Sequence, residues 1–419
     1  MLLAAWQGRA YVEYSDGVYA GSARAVLHGA VPYHDFAAAQ PPGVFYAGTL
    51  VLALGDSPDG LRRGLAVVDL ILAALVLVAV WRLTGRRVSA VVAGLAALLT
   101  PWALREHAQL TPETFAAPLL LAAALVAAEE RWSWGVGLLG AAAAMFKLAF
   151  LLPAAAIAAV AAAPATALST LILATAAELA TAWVGFGSAF WRGTVEAQTQ
   201  TGLAPLHYAG GLWAQAAWNL APLSLPAGLA IRLRRRVGAD AGGTAGADPQ
   251  ATRLFRAVLV TAAASLVLLL TLLKRGSYLN AVVVVEPPLL ILTACAITWL
   301  LERRTWATHP VLASLGAVAL LLGAVEVGSL LVSPRDPGAF SRPRAATTPG
   351  WTLTDDQVRS QVAIIDRCPP DAAYPGAPYL AFAAGRRPPG NQPDQFIIAH
   401  ASVDARFRTA AAVDRRRCP

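Results

Sequence analysis

The feature that most constrains this chain is a series of long apolar blocks, several of them near the ~20 residues that a helix needs to cross a bilayer. Across the chain, 57% of residues are hydrophobic and only 14% are charged. Soluble domains are about a quarter charged, so we exclude an ordinary soluble enzyme, a disordered protein and a disulfide scaffold. The blocks are unbroken, which also excludes the short alternating strands of a membrane barrel. We predict an all-α polytopic membrane protein.

The blocks predict about ten crossings of the membrane. The full-length blocks are 63–83, 88–104, 112–128, 166–184, 212–231, 255–273, 280–301 and 309–332. Lys147 and Pro153 interrupt a longer apolar stretch at 133–163, where we expect two short helices. Residues 44–54 are apolar but short, which fits a re-entrant or interfacial segment.

Basic residues in the short loops predict the orientation of these crossings. Alternating crossings put 12 arginines on one face: Arg82, Arg86, Arg87, Arg131, Arg232, Arg234, Arg235, Arg236, Arg253, Arg256, Arg303 and Arg304. Loops rich in arginine and lysine stay in the cytoplasm, so that face is predicted to be cytoplasmic. The other face of the plasma membrane then holds the loops 7–62, 105–111, 185–211 and 274–279 and the chain from residue 333 on.

Two regions follow from this topology. Residues 1–332 are predicted to form a transmembrane domain, with 7–62 as its first outer loop. Its cytoplasmic loop 237–250 is rich in Gly and Ala, which predicts a flexible segment. Residues 333–419 are predicted to form a small extracytoplasmic C-terminal region that packs on the membrane part, because so short a segment supports only a thin core of its own.

The net charge of +8 predicts contacts with membrane lipids. Most basic residues lie in loops between apolar blocks, where they set the orientation of the helices in the membrane. Nucleic acid is therefore not an expected partner. Cys295 lies inside an apolar block and is predicted to be inert packing. Cys368 and Cys418 lie in the exported region and are candidates for one disulfide bond. No Cys/His spacing is typical of a zinc site.

The first outer loop carries the densest set of polar candidates. Residues 16–28 are predicted to form a helix, on which Asp16, Arg24 and His28 share one side at roughly four-residue spacing. Such a helix lies in the membrane interface with its polar side toward water or a cleft. His34 and Asp35 follow, and Gln40-Pro41-Pro42 ends the loop stiffly.

This order of residues resembles the GT-C superfamily of membrane glycosyltransferases, and within it the protein-mannosyltransferase and aminoarabinose-transferase-like group. Asp16 matches the group's first acid, Asp35 its second and Gln40-Pro41-Pro42 its turn, and the likeness continues through Gly137–Lys147 and Lys274–Pro288. The segment from Ala383 to Asp394 resembles the tails of actinobacterial members, with a role in acceptor binding or in covering the site, or simply as a structural turn.

The chain departs from the group's pattern at three places. Gly17 follows Asp16 where the group has Glu or another polar residue, and Gln40 replaces the usual His. The group also has a transmembrane helix before the loop, where this chain has only Met1–Trp6. A truncated start and a naturally short start are both open.

The resemblance implies a GT-C-like helical bundle and a glycosyltransferase that uses a polyprenyl-phosphate sugar. The enzyme would move a hexose or pentose to a glycan, lipid or protein acceptor on the extracytoplasmic side, in cell-envelope or cell-wall biosynthesis. An inverting displacement needs a carboxylate base, for which Asp16 is the candidate. Asp16 also fits a solvated helix N-cap. Asp35 is a candidate second acid or metal ligand, or else a turn residue.

The second outer loop offers a further acid, and cationic candidates follow. Glu106 or Glu113 fits the acid of the group, although Thr111-Pro112-Glu113 is also a plain helix start. Donor-phosphate contacts are expected from Lys147, Lys274, Arg275, Tyr278 and Arg24. The alternatives are snorkelling for Lys147 and interface anchoring for Lys274, Arg275 and Tyr278.

Acceptor binding is the least constrained part of the hypothesis. The candidates are His28, His34, Gln40, His207 and Tyr208. A divalent metal ion held by Asp16, Asp35, His28 and His34 stays open, because one loop of sequence does not fix a coordination geometry.

Two other classes of function compete with the glycosyltransferase. A transporter or lipid flippase would carry charges near the middle of several helices and often inverted repeats. This chain concentrates its acids in outer loops and has no evident repeat, which disfavours that class. A non-catalytic relative is the third possibility, and it is favoured by the departures at Gly17 and Gln40.

Overall fold

The computed structural model describes residues 12–99, 106–240, 248–277, 279–303, 352–353, 355–369, 372–401 and 404–413. The described chain is helical apart from one antiparallel pair of two-residue strands, β1 (Val12–Glu13) and β2 (Thr352–Leu353). This pair joins the first outer loop to the C-terminal region. The described architecture is therefore almost entirely α-helical, as the sequence predicts.

Two helices form the first outer loop. α1 (Tyr14–Leu27) occupies the predicted 16–28 segment, and α2 (Gly43–Leu52) occupies the short apolar segment after the proline pair. The two helices pack against each other. The connection between them contains Tyr33, whose φ of 65° is left-handed.

The bundle that follows is built from the predicted apolar blocks. Its helices are α3 (Pro58–Thr84), α4 (Arg87–Leu99), α5 (Pro112–Val126), α6 (Ser133–Ala144), α7 (Leu151–Ala159), α8 (Pro164–Phe186), α9 (Ser188–Trp191), α10 (Ala197–Gln200), α11 (Leu206–Asp240), α12 (Pro249–Leu268) and α13 (Val282–Arg303). A π-helical segment, Arg192–Glu196, joins α9 to α10.

Four of the described helical segments are long and apolar enough to cross a membrane: Pro58–Thr84, Pro164–Phe186, Pro249–Leu273 and Leu279–Glu302. Shorter apolar helices accompany them. The count of ten crossings stays a prediction, because the block at 309–332 lies outside the described residues. The cytoplasmic loop 237–250 is described only at its two ends, so its flexibility also stays a prediction.

α3 shows how the sequence sets the ends of a long helix. The Ser57 hydroxyl accepts a hydrogen bond from the Gly60 amide at 3.2 Å, and Pro58 occupies the first helical position. Gly85 ends the helix in the left-handed conformation, with φ 69°. The helix thus starts in the first outer loop and ends beside the basic loop at Arg86.

The core of the bundle lies around α13. Its residues Val282–Val285 are buried, and α13 packs on α11, α12, α3 and α5. α8 lies at the periphery, where Leu173 is 69% and Val184 is 86% exposed. An apolar surface of this kind is stable against lipid chains, so α8 faces the bilayer.

The helical pair predicted around Lys147 is present. α6 ends at Ala144, Lys147 is extended with φ −161° and ψ 123°, and a 3-10 turn (Leu148–Phe150) leads into α7. The break places the side chain of Lys147 at the end of the bundle and not inside a helix.

Ion pairs identify the opposite end of the bundle. Arg82 lies 3.1 Å from Glu129, which joins the C-terminal ends of α3 and α5. Arg86 lies 2.6 Å from Glu302, which adds the C-terminal end of α13. Residues of the predicted cytoplasmic loops therefore meet at one end. The N-terminal ends of α5 and α13 lie at the other end, together with the first outer loop.

The C-terminal region packs on the first outer loop. Its helices are α14 (Asp355–Ile365), α15 (Pro378–Ala383), α16 (Gln395–His400) and α17 (Ala405–Val413). α15 packs on α1, and Leu380 and Phe382 share an apolar core with Ala20, Leu61 and Leu65. The region thus completes a core that the membrane part begins.

Candidate functional site

A cavity of about 290 Å³ lies at the end of the bundle that holds the first outer loop. Its wall contains Gln40, Glu113, Lys147, Lys274 and Arg275, which come from four separate segments. All five were candidates from the sequence. We call this space the lysine cavity.

Glu113 links two walls of the lysine cavity. Its Oε1 accepts from Lys147 Nζ at 2.8 Å, and its Oε2 accepts from Asn280 Nδ2 at 3.1 Å. The Glu113 side chain is 1% exposed and that of Lys147 is 24% exposed. Glu113 also stands in the first turn of α5, after Thr111 and Pro112. Glu113 is therefore both an acid in the first turn of α5 and a residue of the cavity wall.

Lys274 provides the second cation. It follows the 3-10 turn Leu269–Leu273, and its backbone pairs with Leu203 in an isolated bridge. Its ammonium group donates to Gln198 Oε1. Burial, and next the charge of Lys147, lower the pKa of Lys274 to about 8. Two positive groups close to each other favour an anion between them.

The first-loop helix forms another wall of the lysine cavity, through Tyr14, Ser15, Val18 and Tyr19. Burial, and next the charges of Glu113 and Asp394, raise the pKa of Tyr19 well above its ordinary value. Tyr19 is also hydrogen-bonded to the Gln40 side chain. The phenols of this wall are therefore neutral hydrogen-bonding groups at any physiological pH.

The C-terminal region contributes Asp394, Phe396 and Ile397 to the same cavity. The Asp394 carboxylate caps α16 by accepting from the Ile397 amide at 3.0 Å. The Phe396 amide donates to the Tyr14 hydroxyl at 2.8 Å, which ties α16 to α1. The segment that resembles actinobacterial tails thus reaches the site at its last residue.

Asp16 lies in a buried ion pair, and its role as the general base stays a prediction. Its side chain is fully buried, and its Oδ2 accepts from Arg62 Nη2 at 2.7 Å. Its Oδ1 accepts from the Leu110 amide at 2.7 Å. Asp16 does not line the lysine cavity, unlike Ser15 and Val18 of the same helix. Its surroundings are those of a structural ion pair. Asp16 also lies inside the first turn of α1, which begins at Tyr14, and not at the N-cap position.

Arg24 and His28 lie apart from the lysine cavity as well. Arg24 pairs with Asp56 at 2.6 Å and donates to the Phe382 carbonyl at 2.6 Å, while His28 lies 3.1 Å from Asp56. With Asp35 they line a second cavity of about 500 Å³, which Arg386 and Arg387 of the C-terminal region close. We call it the arginine cavity. Arg24 does not line the lysine cavity, and its contact with the donor phosphate stays a prediction.

Asp35 and His34 form a turn at the surface. Asp35 accepts from the Val31 amide at 2.7 Å and lies 2.7 Å from His34 Nδ1. The Val31 amide and His34 lower the pKa of the Asp35 carboxyl. These contacts are those of a turn, Asp35 does not line the lysine cavity, and its role as a second acid stays a prediction.

Glu106 is also absent from the lysine cavity. It is fully buried next to His107, whose Nδ1 lies 3.2 Å from Asp69. Within the described ranges, no group of three or more His, Cys, Asp and Glu side chains is placed to hold a metal ion. The metal set proposed from the loop, with Asp16 buried and His34 at the surface, is not assembled there.

The remaining candidates are Tyr208, His207, Tyr278 and the cysteines. Tyr208 donates to the carbonyl of Ser277, a residue of the lysine cavity, at 3.3 Å, whereas His207 is exposed and does not line it. Tyr278 and Cys418 lie outside the described residues. Cys368 is disulfide-bonded and Cys295 is a free, buried thiol. The pairing of Cys368 with Cys418 stays a prediction.

Comparisons with solved structures identify the architecture. ArnT from Cupriavidus metallidurans bound to undecaprenyl phosphate matches with a TM-score of 0.59 and 14% identity, over 97% of this chain and 87% of that one. ArnT from the same organism in the apo state matches with a TM-score of 0.58 and 15% identity, over 96% and 85%. The chain has the GT-C fold. No protein-family model and no curated protein matches the sequence.

The sequence predicts no role for three residues of the lysine cavity, Tyr14, Gln198 and Asn280, or for the buried Arg62 that pairs with Asp16. Asn280 stands at the head of an apolar block, which is a signal that sequence reasoning can use. Arg62 carries no comparable signal, since its contact with Asp16 joins distant parts of the chain.

Proposed function

We propose that this protein is a membrane glycosyltransferase that takes its sugar from a polyprenyl-phosphate carrier. The observation that carries the proposal is the convergence of Lys147, Lys274 and Arg275 on one cavity at the end of a GT-C bundle. The GT-C neighbour bound to undecaprenyl phosphate supports a carrier of that class.

The cations of the lysine cavity suit the phosphate of a lipid-linked donor. The phosphate of such a donor stays at headgroup height while its polyprenyl chain lies in the bilayer. Lys147 and Lys274 follow or precede apolar helices, so their ammonium groups are at that height. Charge-assisted hydrogen bonds to phosphate oxygens stabilise the anion that leaves when the glycosidic bond breaks.

We place the lysine cavity on the extracytoplasmic side. Arg82, Arg86 and Arg131 lie at the other end of the bundle, where they form ion pairs with Glu129 and Glu302. The positive-inside rule assigns that end to the cytoplasm. The C-terminal region, which packs on the first outer loop, is then extracytoplasmic too.

For the acceptor we propose entry past Gln40 and Tyr208, which stand at the lysine cavity and its rim. His28 and Asp35 line the arginine cavity on the other side of α1, where they can hold a remote part of a glycan, lipid or protein acceptor. The reaction we propose is an inverting single displacement.

The test is transfer by purified protein in lipid nanodiscs from a panel of radiolabelled polyprenyl-phospho-sugars. We expect one label to be consumed and passed to an acceptor. Lys147→Gln should slow consumption about 10- to 100-fold, the effect of losing a charge-assisted hydrogen bond of ~1.5–3 kcal/mol. The matched control is Arg63→Gln, because Arg63 is exposed on α3 and should leave the rate unchanged.

If no label in the panel is consumed, the proposal fails. Movement of an intact donor across vesicle membranes without product would favour the flippase alternative instead.

A further inference from the structure

Two carboxylates face the lysine cavity, Glu113 and Asp394, and they differ in what holds them. Glu113 is 1% exposed, and each of its oxygens accepts from a neighbouring side chain, Lys147 or Asn280. An incoming acceptor hydroxyl would have to displace one of these contacts. Glu113 therefore suits the task of positioning Lys147.

Asp394 has a more open setting. It is partly exposed to the cavity, and within the described chain no Lys or Arg forms an ion pair with it. Its hydrogen bonds come from neutral donors, which are the Ile397 amide at 3.0 Å, the Phe396 amide and the Tyr14 hydroxyl. A carboxylate offers about four lone-pair sites, so these donors leave room for a further hydroxyl.

The geometry also fixes the direction of the Asp394 side chain. α16 begins at Gln395 with Asp394 as its cap, and the Phe396 amide donates to Tyr14, so α1 and α16 hold the carboxylate between them. Both Asp394 and Glu113 act electrostatically on Tyr19, and all three residues line the same cavity.

We propose, on the basis of the function proposed above, that Asp394 is the general base of the transfer and that the C-terminal region thereby completes the active site. In the step, the acceptor oxygen forms a bond to the anomeric carbon and its proton passes to an Asp394 oxygen. The bond between the anomeric carbon and the phosphate oxygen breaks, and its electron pair leaves with the polyprenyl phosphate. Lys147 and Lys274 stand by the phosphate and receive no proton.

The charge balance of this step is complete without another reactant. The donor loses a sugar and its phosphate gains one negative charge, while Asp394 becomes neutral by taking the proton. The proton then leaves to water, which restores the carboxylate. A general base of this kind accounts for about 10²- to 10⁴-fold in rate.

The ionisation of the cavity supports the assignment. Burial raises the pKa of Asp394 to about 6, close to the value that suits a base working at neutral pH. The other titratable and charged groups of the cavity are Tyr14, Tyr19, Glu113, Lys147, Lys274 and Arg275. The rate should therefore rise with pH through about 6 and fall through about 8, where Lys274 loses its charge.

The experiment uses two variants that keep the helix cap and remove the base. Asn and Ser cap a helix about as well as Asp, so Asp394→Asn and Asp394→Ser should fold and bind undecaprenyl phosphate like the wild type. We expect both to lose at least about 100-fold in kcat and to lose the rise of the rate through pH 6. Exogenous formate should restore part of the rate in Asp394→Ser.

Transfer by either variant within about threefold of the wild type would overturn the assignment and leave Asp394 as a cap. If the variants unfold or lose donor binding, the wild-type pH profile decides, since a rate that is flat between pH 5 and 7 contradicts a base in this cavity. A wild-type protein that consumes no polyprenyl-phosphate sugar contradicts the proposed function itself, which is a different result.

Discussion

At the scale of single residues, the contrast between Asp16 and Asp394 shows how burial decides a role. Both aspartates belong to segments that resemble the glycosyltransferase group. Asp16 accepts from a buried guanidinium at 2.7 Å and is closed off, whereas Asp394 lines a cavity. We therefore expect Asp394, and not the carboxylate paired with Arg62, to meet an acceptor hydroxyl.

We predict that Asp16→Asn destabilises the protein. The change leaves the buried Arg62 charge uncompensated, which costs about 3–5 kcal/mol. Thermal unfolding of the purified protein should show a clearly lower Tm, while Asp59→Asn, at an exposed position of α3, should not.

A double variant checks the ion-pair explanation. Asp16→Leu together with Arg62→Met should recover part of the lost stability, because an apolar pair replaces a buried ion pair at little cost. An Asp16→Asn protein of unchanged Tm that has lost all transfer would contradict this view and return Asp16 to the mechanism.

At the scale of elements, the contact between α1 and α15 explains the glycine that follows Asp16. A Cβ on Gly17 would lie 2.1 Å from the Tyr379 backbone nitrogen, so α15 approaches α1 too closely for any side chain. The polar residue that the glycosyltransferase group has at this position would not fit here. The departure at Gly17 therefore follows from the docking of the C-terminal region.

Gly17→Ala should weaken the docking of α15 on α1. We expect faster proteolytic cleavage of the C-terminal region in isolated membranes, and slower transfer if Asp394 is displaced. Gly21→Ala is the matched control, because its Cβ would lie 3.5 Å from the Pro393 side chain, an ordinary contact. Equal cleavage of the two variants would contradict the tight α1–α15 contact.

Most helices and part of the candidate site are predictable from the sequence, because both leave a local pattern in it. Apolar blocks mark the helices of the bundle directly, and ionisable residues at the ends of such blocks mark sites, which is how Lys147, Lys274 and Glu113 were found. The partner of Asp16 was not predictable, since Arg62 reads as an ordinary basic residue at the start of a span. Asp394 meets Tyr14 across 380 positions of sequence, and no local pattern reports such a contact.

At the scale of the whole molecule, the two ends of the bundle carry different chemistry. One end holds the ion pairs of Arg82 and Arg86, and the other holds the lysine cavity under the C-terminal region. An asymmetry of this kind fits an enzyme that works on one face of a membrane.

Cysteine labelling can test which face that is. His34 is 72% exposed at the lysine-cavity end and Arg131 is 79% exposed at the other end. In intact cells, a membrane-impermeant maleimide should label His34→Cys, and it should label Arg131→Cys only after the membrane is permeabilised. The reverse pattern would put the lysine cavity in the cytoplasm and contradict the proposed topology.

The most direct measurement for the central claim is binding of undecaprenyl phosphate to the purified protein across a range of pH. We expect saturable binding that weakens as the pH rises through about 8, because Lys274 must be protonated to hold the phosphate. Lys147→Gln and Lys274→Gln should each weaken it about 10-fold or more, and Arg63→Gln should not change it. Binding whose affinity is unchanged by both lysine substitutions and by pH, or no binding at all, would contradict a lipid-phosphate site in the lysine cavity.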